Sequence, residues 1–112
     1  MKFLNAVYFG KFDTLVFESG ANRFGINLGL VIAGMEDGFD TIEAQILKAY
    51  KFNDGLTNKK LTADDARTLF DAAVSVLTNN PAIMDILTET KDCYDENLLN
   101  AAHVKMVELL NA

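Results

Sequence analysis

Few residues in this chain have the chemistry of a catalyst. Its only cysteine is Cys93 and its only histidine is His103. A cysteine nucleophile needs a base within hydrogen-bond reach. Ten helical residues span about 15 Å, so these two can meet only if the chain breaks near Asp95 and folds back. Otherwise His103 is a surface residue and Cys93 a small apolar group. Zinc sites draw on Cys and His clusters, which the chain lacks. Calcium loops fail on spacing: from Asp54 the third position is Leu56 and the sixth Lys59, and from Asp37 the third is Phe39. Gly20-Ala21-Asn22-Arg23-Phe24-Gly25 has the glycine spacing of a P-loop, but Ile26-Asn27 follows where Lys and a hydroxyl belong. Asp64-Asp65 and Asp95-Glu96 fall where helices begin, where the free N–H groups of the first turn favour carboxylates without any catalytic role. The expectation is a protein that is not an enzyme, with no catalytic residues, no cofactor and no metal.

Binding through surface is what remains. Phe9, Phe12 and Phe39 occupy turn positions, where exposed aromatics can anchor a protein interface. The competing reading is that each caps an end of the core. Gly25 and Gly29 stand four residues apart and would share one helical face, allowing close approach of a second backbone and a homo-oligomer. The competing reading is a glycine-softened core helix. The third candidate surface is acidic: Asp64, Asp65, Asp71, Asp85, Asp92, Asp95 and Glu96.

Charge narrows the partner. The net charge of −6 is unevenly spread. Residues 1–60 hold seven Lys/Arg and seven acids, whereas residues 61–112 hold three and nine. An acidic half argues against direct binding to a phosphate backbone, which relies on Lys and Arg. It suits either a solvated helix surface or a small inhibitor occupying the basic, nucleic-acid-binding site of another protein. No run approaches the roughly 20 apolar residues of a membrane span, and Met1 to Asn5 open no apolar leader. Together with the single cysteine, this makes the cytoplasm the expected location.

The elements that must position these residues follow from periodicity. At 112 residues, half of them apolar, the chain can bury a core as one domain, 1–112. Aromatic and β-branched types dominate 2–9 and 14–18, with Gly10-Lys11-Phe12-Asp13 between them, which predicts a β-hairpin within residues 1–19. Residues 21–35 read two ways. Phe24, Leu28, Val31, Ile32 and Met35 have helical spacing, while Ile26, Leu28 and Leu30 alternate as in a strand. The helix is favoured, and being apolar nearly all round it would be central or self-associating. Helices are then expected over about 41–52, with apolar positions 42, 46, 49 and 50, and over 63–78, with 66, 69, 70, 73, 74 and 77. A polar loop separates them. Asp40 with Glu43, and Thr62 with Asp65, place a short acceptor at the N-cap and a carboxylate three residues on. Asn80-Pro81 starts another helix carrying Ile83, Ile86 and Leu87. Leu98, Leu99, Ala102, Met106, Leu109 and Leu110 have helical period again. Lys91 to Glu96 is open between a break and a continuous helix. The fold class expected is mainly α: four or five helices packed together over 21–110, with a short N-terminal β-hairpin.

The order of elements also resembles a known family. A β segment with Phe-Asp-Thr-Leu-Val-Phe (12–17) precedes a helix and turn. A helix with Ile-Leu-Lys-Ala-Tyr (46–50) follows, then Leu-Thr-Ala-Asp-Asp-Ala-Arg-Thr-Leu-Phe-Asp-Ala-Ala (61–73) and a last helical segment. Over roughly residues 8–90 this is similar to the tail-assembly chaperones of long-tailed phages and prophages of Gram-positive bacteria. The resemblance implies a helical, self-associating protein of the host-cell cytoplasm that binds another protein. Its partner would be the tape-measure protein, whose apolar segments it shields until tail-tube subunits replace it.

Overall fold

Aromatic and β-branched side chains at the N-terminus pair as expected. Strand β1 (Lys2–Phe9) and strand β2 (Phe12–Ser19) run antiparallel, with Phe3 opposite Phe17 and Ala6 opposite Leu15. A bulge between Phe3 and Asn5 shifts the register, so that Phe3 and Ala6 both face the core. The Phe3 and Phe17 rings meet edge to face, 5.4 Å between centroids. The computed structural model describes the backbone of residues 1–9, 12–47, 50–53 and 57–112, and the side chains of 1–7, 13–47 and 61–112. The expected turn at Gly10-Lys11 and the apolar position Ala49 lie outside the described residues, as do the side chains of Phe9, Phe12 and Tyr50.

Among the described residues the chain is mainly helical, with five α-helices, but its hairpin is the start of a larger sheet. Ser19 pairs with Asn22 across a two-residue turn, Gly20-Ala21. Gly20 has φ 61°, at the position a type II′ hairpin reserves for glycine. The turn launches strand β3 (Asn22–Asn27), where a helix was expected. Phe24 and Ile26 alternate into the core opposite Phe17 and Leu15. Only the second half of 21–35 is helical. Asn27 accepts from the amides of Gly29 (2.6 Å) and Leu30 (3.3 Å) and starts helix α1 (Leu28–Asp37).

The helix expected over 41–52 is also corrected. The chain enters a 3-10 turn at Phe39–Thr41, after Gly38 with φ 97°, and helix α2 covers only Glu43–Leu47. Asp40 lies inside the 3-10 turn and is not an N-cap; Gly38 fills that place with no side-chain bond. Strand β4 (Tyr50–Asn53) then pairs with β3, Phe24 opposite Lys51, and strand β5 (Thr57–Lys60) pairs with β4. The result is a five-stranded antiparallel sheet in chain order β1 to β5. The far edge strand reads Thr-Asn-Lys-Lys, the kind of polar, lysine-bearing sequence that discourages edge pairing. The region 21–110 is therefore a helical layer with three of the strands woven into it, not a pure bundle.

Helix α3 (Ala63–Thr78) forms as its sequence dictates. Thr62 Oγ1 accepts from the Asp65 amide at 3.1 Å, and Asp65 Oδ2 accepts from the Thr62 amide at 3.4 Å. Ala66, Leu69, Phe70, Ala73 and Leu77 are buried against the sheet and neighbouring helices. Replacing Thr62 with alanine removes one arm of this box. The expected cost is about 1 kcal/mol, read as a lower urea midpoint with an unchanged slope.

Asn80 caps helix α4 (Pro81–Thr90), accepting from the Ile83 amide at 3.3 Å with Pro81 in the first turn. The charged stretch is a break: α4 ends at Thr90, and Asp95 accepts from Asn97 and Leu98 to begin helix α5 (Glu96–Leu110). Along α5 only Met106 is fully buried, and Leu98, expected on the apolar stripe, is 60% exposed. One apolar core joins the sheet to the helices, with α3 touching β1 and β3 and α5 touching β1. Among the described residues no helix is long and apolar enough to cross a membrane.

Candidate protein-binding groove

Helix α3 packs against both α1 and α4. At Gly34, α1 approaches α3 so closely that a Cβ would lie 2.5 Å from Phe70 Cε1. Residues of α1, of α4 and of the turn after α4 line an open groove of about 530 Å³. Ile32 and Met35 from α1, and Met84 and Leu87 from α4, give it an apolar floor; Glu36, Thr88, Lys91 and Asp92 give it a polar rim. Methionine side chains are unbranched and polarisable, so such a floor can adapt to apolar surfaces of varied shape.

The α4–α5 turn shapes one end. Asp92 has φ 62°, a left-handed conformation that Asp tolerates better than most non-glycine residues. The Cys93 amide donates to the Thr90 carbonyl at 3.0 Å, turning the chain back. A second hollow of about 260 Å³ shares Ile32, Glu36, Leu87 and Asp92 with the groove. It continues along Cys93, Tyr94, Leu99 and His103, down to Met106. Beside it, Tyr94 is 91% exposed. The two hollows thus adjoin, reaching from α1 across α4 to the start of α5.

The fold-back needed to bring Cys93 and His103 together does occur, and both line the second hollow. His103 Nδ1 lies 3.6 Å from Asp13 Oδ2, linking α5 to β2. That distance is beyond a hydrogen bond. Among the described residues no hydrogen bond joins the half-buried Cys93 thiol to the imidazole, and no group of three His, Cys, Asp or Glu is placed to hold a metal ion.

The other residues singled out from sequence are dispersed. Gly25 and Gly29 do not share a helical face: Gly25 is buried in β3 opposite Val16, and Gly29 is in the first turn of α1. The strand assignment of 22–27 is what separates them. Phe39 is half-buried, not a free anchor. Its ring lies 5.3 Å from that of Phe70, and the Arg67 guanidinium sits 4.8 Å above it. The side chains of Phe9 and Phe12 lie outside the described residues.

Several acidic residues already have structural work. Asp65 belongs to the α3 capping box and Asp95 caps α5. Asp71 pairs with Arg67 at 3.3 Å, both side chains more than half exposed, which is worth little in water. Asp64 and Glu96 sit in first helical turns. Of the acidic candidates, Asp92 is the one that lines the groove. Sequence reasoning left out Met84, because it lies beside the Ile83–Leu87 stripe; that it lines one groove with Met35 of α1 has no local signature. No model of a known protein family, no curated protein and no solved structure matches the chain.

Proposed function

We propose that this chain is a non-enzymatic protein-binding protein that holds an apolar segment of a larger protein in the groove between α1 and α4. The observation that carries the reading is the apolar floor of Ile32, Met35, Met84 and Leu87, beside a second hollow lined in part by Leu87, Leu99 and the largely exposed Tyr94. Grooves of this kind accept amphipathic helices through anchors at helical spacing. Isolated apolar residues at a surface need no explanation, but a contiguous patch with a polar rim marks an interaction site. This role agrees with the tail-assembly chaperones that the sequence resembles, whose client would be a tape-measure protein in the cytoplasm of the host cell.

The test is a binding measurement with labelled peptides tiling a tape-measure protein from a long-tailed phage of Gram-positive bacteria. Apolar, helix-forming peptides are expected to bind and polar ones not. Met84→Glu puts a carboxylate on the groove floor at a half-buried site. It is expected to weaken binding by about tenfold or more, as for loss of a central anchor. Absence of binding by every apolar peptide, or binding indifferent to Met84→Glu, overturns the reading. The alternative, an acidic inhibitor of a basic site, has less support because Asp65, Asp71 and Asp95 are engaged within the chain itself.

A further inference from the structure

Among the described residues the first strand of the sheet has a neighbouring strand on one side only, β2, so its other side is an edge. That edge carries a stand-in for a strand. The Ala6 amide donates to Asn111 Oδ1 at 2.8 Å, and Asn111 Nδ2 donates back to the Ala6 carbonyl at 2.7 Å. An antiparallel strand would bond Ala6 in the same way, since hydrogen-bonded residue pairs exchange both N–H···O contacts. Asn111 is held in place by its own backbone, which ends α5 by donating to the carbonyls of Leu109 and Val107. Met106, buried near the same end of α5, docks the helix beside β1.

The edge under this clasp is prone to pair. Phe3-Leu4-Asn5-Ala6-Val7-Tyr8-Phe9 contains no charge, no proline and no glycine, and it is rich in aromatic and β-branched residues. Exposed strand edges of this composition recruit other strands. We propose that β1 is a self-association edge on which Asn111 acts as a displaceable clasp, and that its occupant when the clasp opens is β1 of a second copy. Two copies pair antiparallel about a two-fold axis at Ala6, each Ala6 giving the other the two hydrogen bonds that Asn111 now supplies. No like charges oppose each other between Phe3 and Phe9 in that arrangement. The inference uses neither α1 nor α4, so it stands independently of the groove.

The experiment compares the wild type, Asn111→Ala and the double variant Asn111→Ala/Val7→Lys by size exclusion with light scattering over a wide range of concentration. Asn111→Ala is expected to dimerise about tenfold or more tightly than the wild type, because the second copy no longer competes with the clasp. Val7→Lys charges the edge on the side away from the buried Ala6 face and is expected to abolish the gain. Hydrogen exchange at the Ala6 amide reports whether the clasp has opened. Faster exchange in Asn111→Ala, with a size unchanged from wild type at every concentration, overturns the proposal and leaves the edge to a foreign strand or to none. A dimer that survives Val7→Lys also overturns it. If Asn111→Ala melts without cooperativity, Asn111→Asp replaces it, since a carboxylate still accepts from the Ala6 amide but cannot donate to the carbonyl. Dimerisation tighter than that of the wild type, and lost again when Val7→Lys is added, is then expected, and its absence counts against the clasp.

Discussion

Met106→Ala is expected to destabilise the protein by about 2–5 kcal/mol, the range for truncating a fully buried methionine. Met106 is 1% exposed and is the one residue of α5 that is completely buried. Leu99, Ala102, Leu109 and Leu110 are half-covered and Leu98 is largely exposed, so they offer little to replace it. Thermal unfolding followed by circular dichroism is expected to show a midpoint lowered by roughly 10 °C or more, given several degrees per kcal/mol for a domain of this size. A shift no larger than that of an exposed substitution, about 0.5 kcal/mol, would mean that α5 is held by other contacts.

Gly34→Val is the second large effect. A Cβ at this position would stand 2.5 Å and 2.9 Å from the Phe70 ring and 2.8 Å from Ile42 Cδ1. Phe70 has little room to give, being 6% exposed and packed against the Phe39 ring. Overpacking of this kind costs about 1–3 kcal/mol, and valine's branched Cβ adds crowding within the helix. Gly34→Ala separates the causes. Alanine favours a helix over glycine by about 1 kcal/mol, so a loss of stability despite that gain isolates the clash of the Cβ with Phe70 and Ile42. Phe70→Leu in the alanine background is expected to recover part of the loss, and a double-mutant cycle measures the coupling.

The parts of the fold legible in the sequence are those specified within one or two turns of chain. Thr62 with Asp65, Asn80 with Pro81, and Asp95 all cap helices where their spacing places them. The α3 stripe is buried nearly residue for residue, with Val74 half-covered. Residues 21–35 misled because two periods meet there. Phe24 and Ile26 alternate as strand residues, Leu28 and Val31 continue at helical spacing, and a window spanning both averages them. The signal at hand was the pair Gly20-Ala21 between two β-prone runs, a two-residue hairpin turn. Tyr50 to Asn53 misled for a tertiary reason: their pairing with β3 covers an edge that only the folded sheet possesses. Of the candidate sites, the groove joins residues of α1 and α4 that lie about 50 positions apart in the chain, Ile32 and Met35 with Met84 and Leu87, and Ala6 and Asn111 are 105 positions apart. Neither arrangement leaves a mark on local periodicity.

The succession of strands in chain order has a consequence for how the protein is made. Each strand from β2 onward pairs with one already synthesised, so the sheet can grow as the chain leaves the ribosome, the longest wait within it being for α1 and α2 between β3 and β4. The exception is the outer side of β1, whose partner Asn111 follows Ala6 by 105 residues. At usual rates of synthesis that is an interval of roughly 5–20 s. Throughout it the most pairing-prone strand of the nascent chain is uncovered, and neighbouring ribosomes on one message would hold such strands close together. The last helix to emerge ends that exposure.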